Sequence, residues 1–329
     1  MKETLQNLRR EAADLLEKKE VALVIGWEPG SDVARTTPFF AAAPDEASRL
    51  TWGPFCANGL VKYLLDYRYG AEKLAVAARG CDMRAVNRLV QDRQFPRERV
   101  VVLGLPCAGI LDRAKVLPRF TPGAKLLEVA DRGDTYLVRT DLDGEKAFPK
   151  AKFLEPRCLE CEQNVPEGAD RLLGPAVVSP ALPGVDRFGD VAALEALDPA
   201  AKSAFWDRHF ARCLRCYACR NICPACNCKE CAFEQAVPGW QQDARWISKA
   251  TTLSENYTVH LIRMFDVAGR CIDCGECERV CPVNIPLRKL YRKVLKDARE
   301  LFAAPTPGKA PDAVLPMVTF AENDREEFM

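Results

Sequence analysis

Leu5, Leu8, Ala12, Leu15 and Leu16 recur at helical spacing between Lys2 and Lys19, so the chain opens on an amphipathic helix. Val21–Trp27 is a short apolar run of the kind that forms a buried strand. Periodicity predicts a helix over Cys56–Tyr67, a second apolar strand over Lys73–Ala78 ended by Gly80, a helix over Met83–Val90 and a third strand over Arg99–Leu105. Strands alternating with helices predict a parallel sheet with flanking helices, an α/β N-terminal domain spanning 1–175. Leu126–Val129 and Thr135–Val138 read as a hairpin around Arg132-Gly133-Asp134. Residues 176–202 are rich in Pro, Ala and Gly and read as a linker. Residues 203–302 read as a helical domain, with one helix capped by Ser254, running through Ala268 and stopped at Gly269, and another over Ile285–Leu301. Residues 303–329 form a tail.

Cysteine spacing changes this picture most. Cys213, Cys216, Cys219 and Cys223, followed by Pro224, form a C-x2-C-x2-C-x3-C-P run. Cys271, Cys274, Cys277 and Cys281, followed by Pro282, repeat it. Two-residue spacers point three thiolates from one tight loop at one cube of iron and sulfide, while the fourth reaches the other cube. The spacing therefore assigns one [4Fe–4S] cluster to Cys213, Cys216, Cys219 and Cys281, and another to Cys271, Cys274, Cys277 and Cys223. Zinc closes four sulfur ligands in a tetrahedron and needs no such repeated run.

Eight further cysteines remain. Cys81 and Cys107 follow predicted strands, at the carboxyl ends where open α/β sheets build their sites. With the later pair Cys158 and Cys161 they make a third [4Fe–4S] site; the alternative is two structural cysteines and an unrelated C-x2-C. Cys81 at a helix N-terminus is expected to favour thiolate. Cys226, Cys228 and Cys231 are candidates for a further cluster with Cys56, for a zinc site or for a cluster at a subunit boundary, or they sit around the first run's cluster without binding it; alternatively Cys56 is a small buried side chain on a helix. His260 reads as a packed or solvent-facing residue rather than a proton carrier, Trp240 and Trp246 as packing or interface anchors rather than electron relays, and Arg212, Arg215, Arg220, Arg270 and Lys229 as basic residues flanking the cluster loops or as a solvated face.

Charge is balanced, 47 basic against 46 acidic residues, which gives no electrostatic case for nucleic acid or an anionic membrane. No apolar run approaches the ~20 residues of a membrane span, and Met1–Glu20 lacks the apolar centre of a signal peptide. A cytoplasmic location is expected, where cysteines at this density bind metal rather than pair. There is no G-x-G-x-x-G or P-loop, so a nicotinamide-binding domain is not expected.

Residues 73–174, with Gly104-Leu105-Pro106-Cys107-Ala108-Gly109, Cys158-Leu159-Glu160-Cys161, Gly168-Ala169-Asp170 and Gly174, resemble the β subunit of coenzyme F420-reducing hydrogenase and F420-dependent formate dehydrogenase. Residues 203–302 resemble the α-helical ferredoxin fold of succinate dehydrogenase and heterodisulfide reductase subunits. Most of the chain, including Arg79-Gly80-Cys81-Asp82-Met83-Arg84-Ala85 and Cys223-Pro224-Ala225-Cys226-Asn227-Cys228-Lys229-Glu230-Cys231, is similar to bacterial proteins that fuse the two. The resemblance implies a cluster at Cys81, Cys107, Cys158 and Cys161 beside a flavin (FAD); the glycine-rich stretch that accompanies flavin in the F420 enzymes is not found after Gly174. It also implies dehydrogenase or hydrogenase subunits and a heterodisulfide reductase-like flavoprotein as partners in an anaerobic complex. The expected function is electron transfer between them; the alternative is a flavin-containing oxidoreductase subunit acting on a soluble carrier.

Overall fold

The computed structural model describes residues 1–231, 233–234 and 251–313; Trp240, Trp246 and the end of the tail lie outside them. Two units are distinguished. One comprises Met1–Val86 and Asp92–Val185, the other Asn87–Gln91 and Asp186–Met329.

The first unit is mixed α/β. Helix α1 (Lys2–Glu17) buries Leu8, Ala12, Leu15 and Leu16, the face its periodicity marks. Strands β1 (Leu23–Pro29), β2 (Thr36–Ala41), β3 (Leu74–Ala78) and β4 (Val100–Gly104) join a short β8 (Arg171–Leu172) in the order β2-β1-β3-β4-β8. Every residue of β3 and β4 is buried, as continuous apolar runs in a covered parallel sheet require. The sheet is not wholly parallel: β2 runs antiparallel to β1. Pro38 has no N–H to give to a ladder, which confines β2 to the edge and hides it from pattern reading.

A right-handed turn of helix α2 (Gly80–Gln91) follows β3 directly. The helix expected over Cys56–Tyr67 is absent; only a 3₁₀ segment, Val61–Tyr67, forms. The reason is local. Arg79 takes the carbonyls of Cys56, Ala57 and Asn58 at 2.8, 3.1 and 3.2 Å, so they are spent on a guanidinium and not on a helical ladder.

A second sheet, β5 (Leu126–Asp131), β6 (Thr135–Thr140) and β7 (Gly144–Pro149), extends the expected hairpin by one strand. Its buried Val129, Val138 and Phe148 pack with Leu111, Val116 and Leu154.

The second unit is helical. Within the span expected as a linker, α3 (Gly189–Glu195) forms and α4 (Pro199–Phe210) begins. Asp198 accepts from Ala201 N–H and Pro199 opens the helix, so this proline is a start signal and alanine a helix former. Helix α5 (Leu253–Asp266) is capped by Thr252, whose hydroxyl accepts from Glu255 N–H, two residues before the expected Ser254. Helix α6 (Leu287–Phe302) completes the unit. One buried cluster comprises Phe210, Ala225, Val267, Ile285, Leu287, Leu290 and Tyr291, with six cysteines of the two runs and Cys226 packed against it.

Candidate functional site

The two cysteine runs fold alike. In the first, Arg215 and Tyr217 take left-handed φ values of 50° and 57°; in the second, Asp273 and Gly275 take 55° and 68° at the matching positions. Each left-handed pair turns the loop tightly enough for three sulfurs to converge, and it leads into a single-turn helix, Ala218–Asn221 or Glu276–Arg279. Left-handed Arg and Tyr cost on the order of 1 kcal/mol each and persist only where the surroundings demand them. The fourth cysteine leaves at the end of that helix: Cys223 N–H donates to Arg220 O, and Cys281 N–H to Glu278 O.

The sulfurs line two cavities of about 410 Å³ each, counting space open to solvent. One is lined by Cys213, Cys216, Cys219 and Cys281. The other is lined by Cys223, Cys271, Cys274 and Cys277. Each run thus contributes three cysteines to one cavity and its fourth to the other. Among the described residues no group of three or more His, Cys, Asp or Glu is gathered closely enough for a single ion; the thiols of a cube stand farther apart, because iron and sulfide fill the space between them.

Donors converge on the sulfurs of the first cavity. Arg215 N–H reaches Cys213 Sγ at 3.4 Å, Ile285 N–H reaches Cys281 Sγ at 3.3 Å, and Arg263 reaches Cys219 Sγ at 3.0 Å. His260 Nε2 lies 3.3 Å from Cys213 Sγ. Burial, then the charges of Arg263 and Arg215, push His260 down to about 4, so the imidazole is neutral at pH 7. Such a donor set suits sulfurs that carry negative charge. Beside the second cavity, burial pushes the Asp273 carboxyl up, but Arg288, Arg292 and Arg187 outweigh it and hold it below its ordinary value. The ion pairs Arg288–Asp273 at 2.7 Å and Arg187–Asp273 at 2.9 Å fix the left-handed corner of that loop.

In the first unit, Cys81 opens α2 and Cys107 follows β4, the strand next to β3. Cys81, Cys107 and Cys158 lie within one another's electrostatic reach, and Cys161 acts on Cys107. Gly80 permits this approach: a Cβ there would stand 2.0 Å from Gln163 O and 2.7 Å from its carbonyl carbon, two residues past Cys161. Ile110 N–H donates to Cys158 Sγ at 3.3 Å. Desolvation pushes Cys81, Cys107 and Cys158 each up to about 12. For Cys81 this overturns the expected thiolate: the cost of burying charge exceeds the help from the helix N-terminus and Arg79. Thiols in this state ionise when a metal takes the place of the proton.

The family description "4Fe-4S dicluster domain" matches residues 209–285. Across 87% of its length the chain is 24% identical to the F420-dependent formate dehydrogenase subunit beta of Methanocaldococcus jannaschii, of which 87% is covered. It is 25% identical to F420-dependent formate dehydrogenase 1 subunit beta of Methanococcus maripaludis, over 87% of this chain and 86% of that one. The chain is a relative of these beta subunits. It carries a 4Fe–4S dicluster domain, which accounts for at least two [4Fe–4S] clusters. Among solved structures, a chain of the F420-reducing [NiFe] hydrogenase complex from Methanosarcina barkeri matches at 20% identity with a TM-score of 0.40, over 51% of this chain and 65% of that one. Among the described residues no helix is long and apolar enough to cross a membrane.

Cys226 sits beside Cys223, and Cys228 feels both Cys226 and Cys231, all within the second unit. Cys56, the fourth thiol expected for it, lies in the first unit beside Cys107 and Arg79. Of the flanking cations, Arg220 pairs with Glu234, Arg270 bonds Asn227, and Arg212 lies against His209. The sequence reads His260 as packed or solvent-facing and does not single out Arg263. Their i, i+3 spacing on one face of α5 was the signal that could have found both.

Proposed function

We propose that this chain is an iron–sulfur electron-transfer subunit of a multisubunit anaerobic oxidoreductase. Cys213, Cys216, Cys219 and Cys281 hold one [4Fe–4S] cluster, and Cys271, Cys274, Cys277 and Cys223 hold a second. Cys81, Cys107, Cys158 and Cys161 hold a third. One observation carries the reading: each cavity of the second unit is lined by four cysteines, three from one run and one from the other. A bound cube supplies one-electron transfer; the loops orient its ligands, and the donors to Cys213, Cys219 and Cys281 balance its charge. Electrons pass between a dehydrogenase- or hydrogenase-type partner and a heterodisulfide reductase-like flavoprotein.

The test is iron, acid-labile sulfide, zinc and flavin per chain after anaerobic purification. About twelve irons are expected for three cubes. About eight would withdraw the third site, and stoichiometric zinc without sulfide would overturn the whole reading. A second reading, a flavin-containing subunit acting on a soluble electron carrier, is favoured by the similarity to F420-dependent formate dehydrogenase beta subunits over 87% of the chain. Stoichiometric flavin would select it.

A further inference from the structure

Between residues 203 and 302 the buried arginines are matched by carboxylates, with one exception among the described residues. Arg288 pairs with Asp273, Arg292 with Asp190 and Asp273, and Arg215 with Glu255. Arg263 on α5 is 2% exposed, and among the described residues it meets no carboxylate. Its guanidinium donates to Cys219 Sγ at 3.0 Å, to Cys219 O at 3.2 Å and to Cys226 Sγ at 3.6 Å. Its charge also falls on Cys223 and Cys277, which line the other cavity. A cation out of water without a counter-charge costs several kcal/mol, so the sulfur-bound groups on both sides are its natural partner.

Tyr291 on α6 poses the matching question. It is 3% exposed, and its ring lies 5.3 Å from the Arg263 guanidinium. The ring lines the cavity of Cys223, Cys271, Cys274 and Cys277. Its hydroxyl is buried and, among the described residues, has no hydrogen-bond partner. Buried hydroxyls rarely go unsatisfied, and each exception asks for an absent acceptor. Sulfur in that cavity is such an acceptor.

We propose that Arg263 and Tyr291 form a potential-setting pair shared by the two clusters. The guanidinium offsets negative charge on both, and the Tyr291 hydroxyl donates to a sulfur of the cluster held by Cys223, Cys271, Cys274 and Cys277. Both interactions strengthen as an electron arrives, so both raise the reduction potential. This rests on the cavities being cluster sites, as proposed above.

The experiment is an EPR-monitored redox titration of the full chain, purified anaerobically with its iron and sulfide counted, as wild type, Tyr291→Phe, Arg263→Lys and Arg263→Met. Tyr291→Phe removes one oxygen and keeps the ring. It is expected to shift one of the two dicluster signals toward the oxidised form by about tenfold (~59 mV for one electron). Arg263→Met shifts both signals down, and Arg263→Lys shifts them by less. Should Arg263→Met fail to fold, the lysine and phenylalanine variants carry the test. If fully loaded Tyr291→Phe keeps both potentials and melts at the same or a higher temperature, the hydroxyl is filler and the proposal falls. If wild-type protein holds no iron or labile sulfide, the cluster reading falls with it.

Discussion

One hydrogen atom in place of a methyl group decides whether the segment after Cys161 can reach the start of α2. The clash awaiting a Cβ at Gly80 is with backbone, which no rotamer change relieves. Gly80→Ala is therefore expected to lose the cluster proposed at Cys81, Cys107, Cys158 and Cys161, lowering iron by about four per chain and leaving the dicluster signals in place. Full iron in this variant would remove those cysteines from the proposed function. Which cysteines line the two cavities was legible in the sequence, because three thiols two residues apart leave a loop few alternatives. Gly80, Arg263 and Tyr291 were not: a glycine's necessity lies in what approaches it, and an unpaired charge or hydroxyl exists only once a core has closed around it.

At the scale of elements, α3 is tied to α6 by charge. Glu195 accepts from Lys293 and Lys296, each at 2.8 Å, and Asp190 pairs with Arg292 at 2.7 Å. The hydrogen bonds from Lys293 and Lys296 hold the Glu195 carboxyl below its ordinary value. A carboxylate depressed by folding stabilises above its unfolded pKa and loses that contribution as pH falls through the folded one. Glu195→Gln should thus melt slightly below wild type at pH 7, by a few tenths of a kcal/mol given its exposure, with the gap closing below about pH 4. A gap that persists at low pH would mean the helices are joined by packing alone. The apolar strands β1, β3 and β4 were readable from their runs, whereas β2 and the mostly exposed β7 were not. Edge strands bury too little to leave a period, and the Cys56–Tyr67 segment kept a helical period although Arg79 had claimed its carbonyls.

For the whole molecule, the two units rest on different foundations. The first has fully buried strands; in the second, one cluster of seven buried apolar residues packs against cysteines. With the proposed clusters held by these cysteines, metal binding becomes part of folding. Anaerobic iron chelation is expected to open residues 203–302 to protease while the amides of β3 and β4 stay protected from hydrogen exchange. Equal protection of the second unit before and after chelation would show that its apolar core suffices.

The crossing of the fourth cysteines makes the dicluster region a double clasp. With both cubes seated, the chain from Cys223 to Cys271 becomes a ring closed through iron, and closing a ring of that length removes disorder from the unfolded chain much as a disulfide would. A backbone cut introduced between the runs should then leave two fragments that travel together on a sizing column, held by sulfur–iron bonds, and part only when the iron is withdrawn.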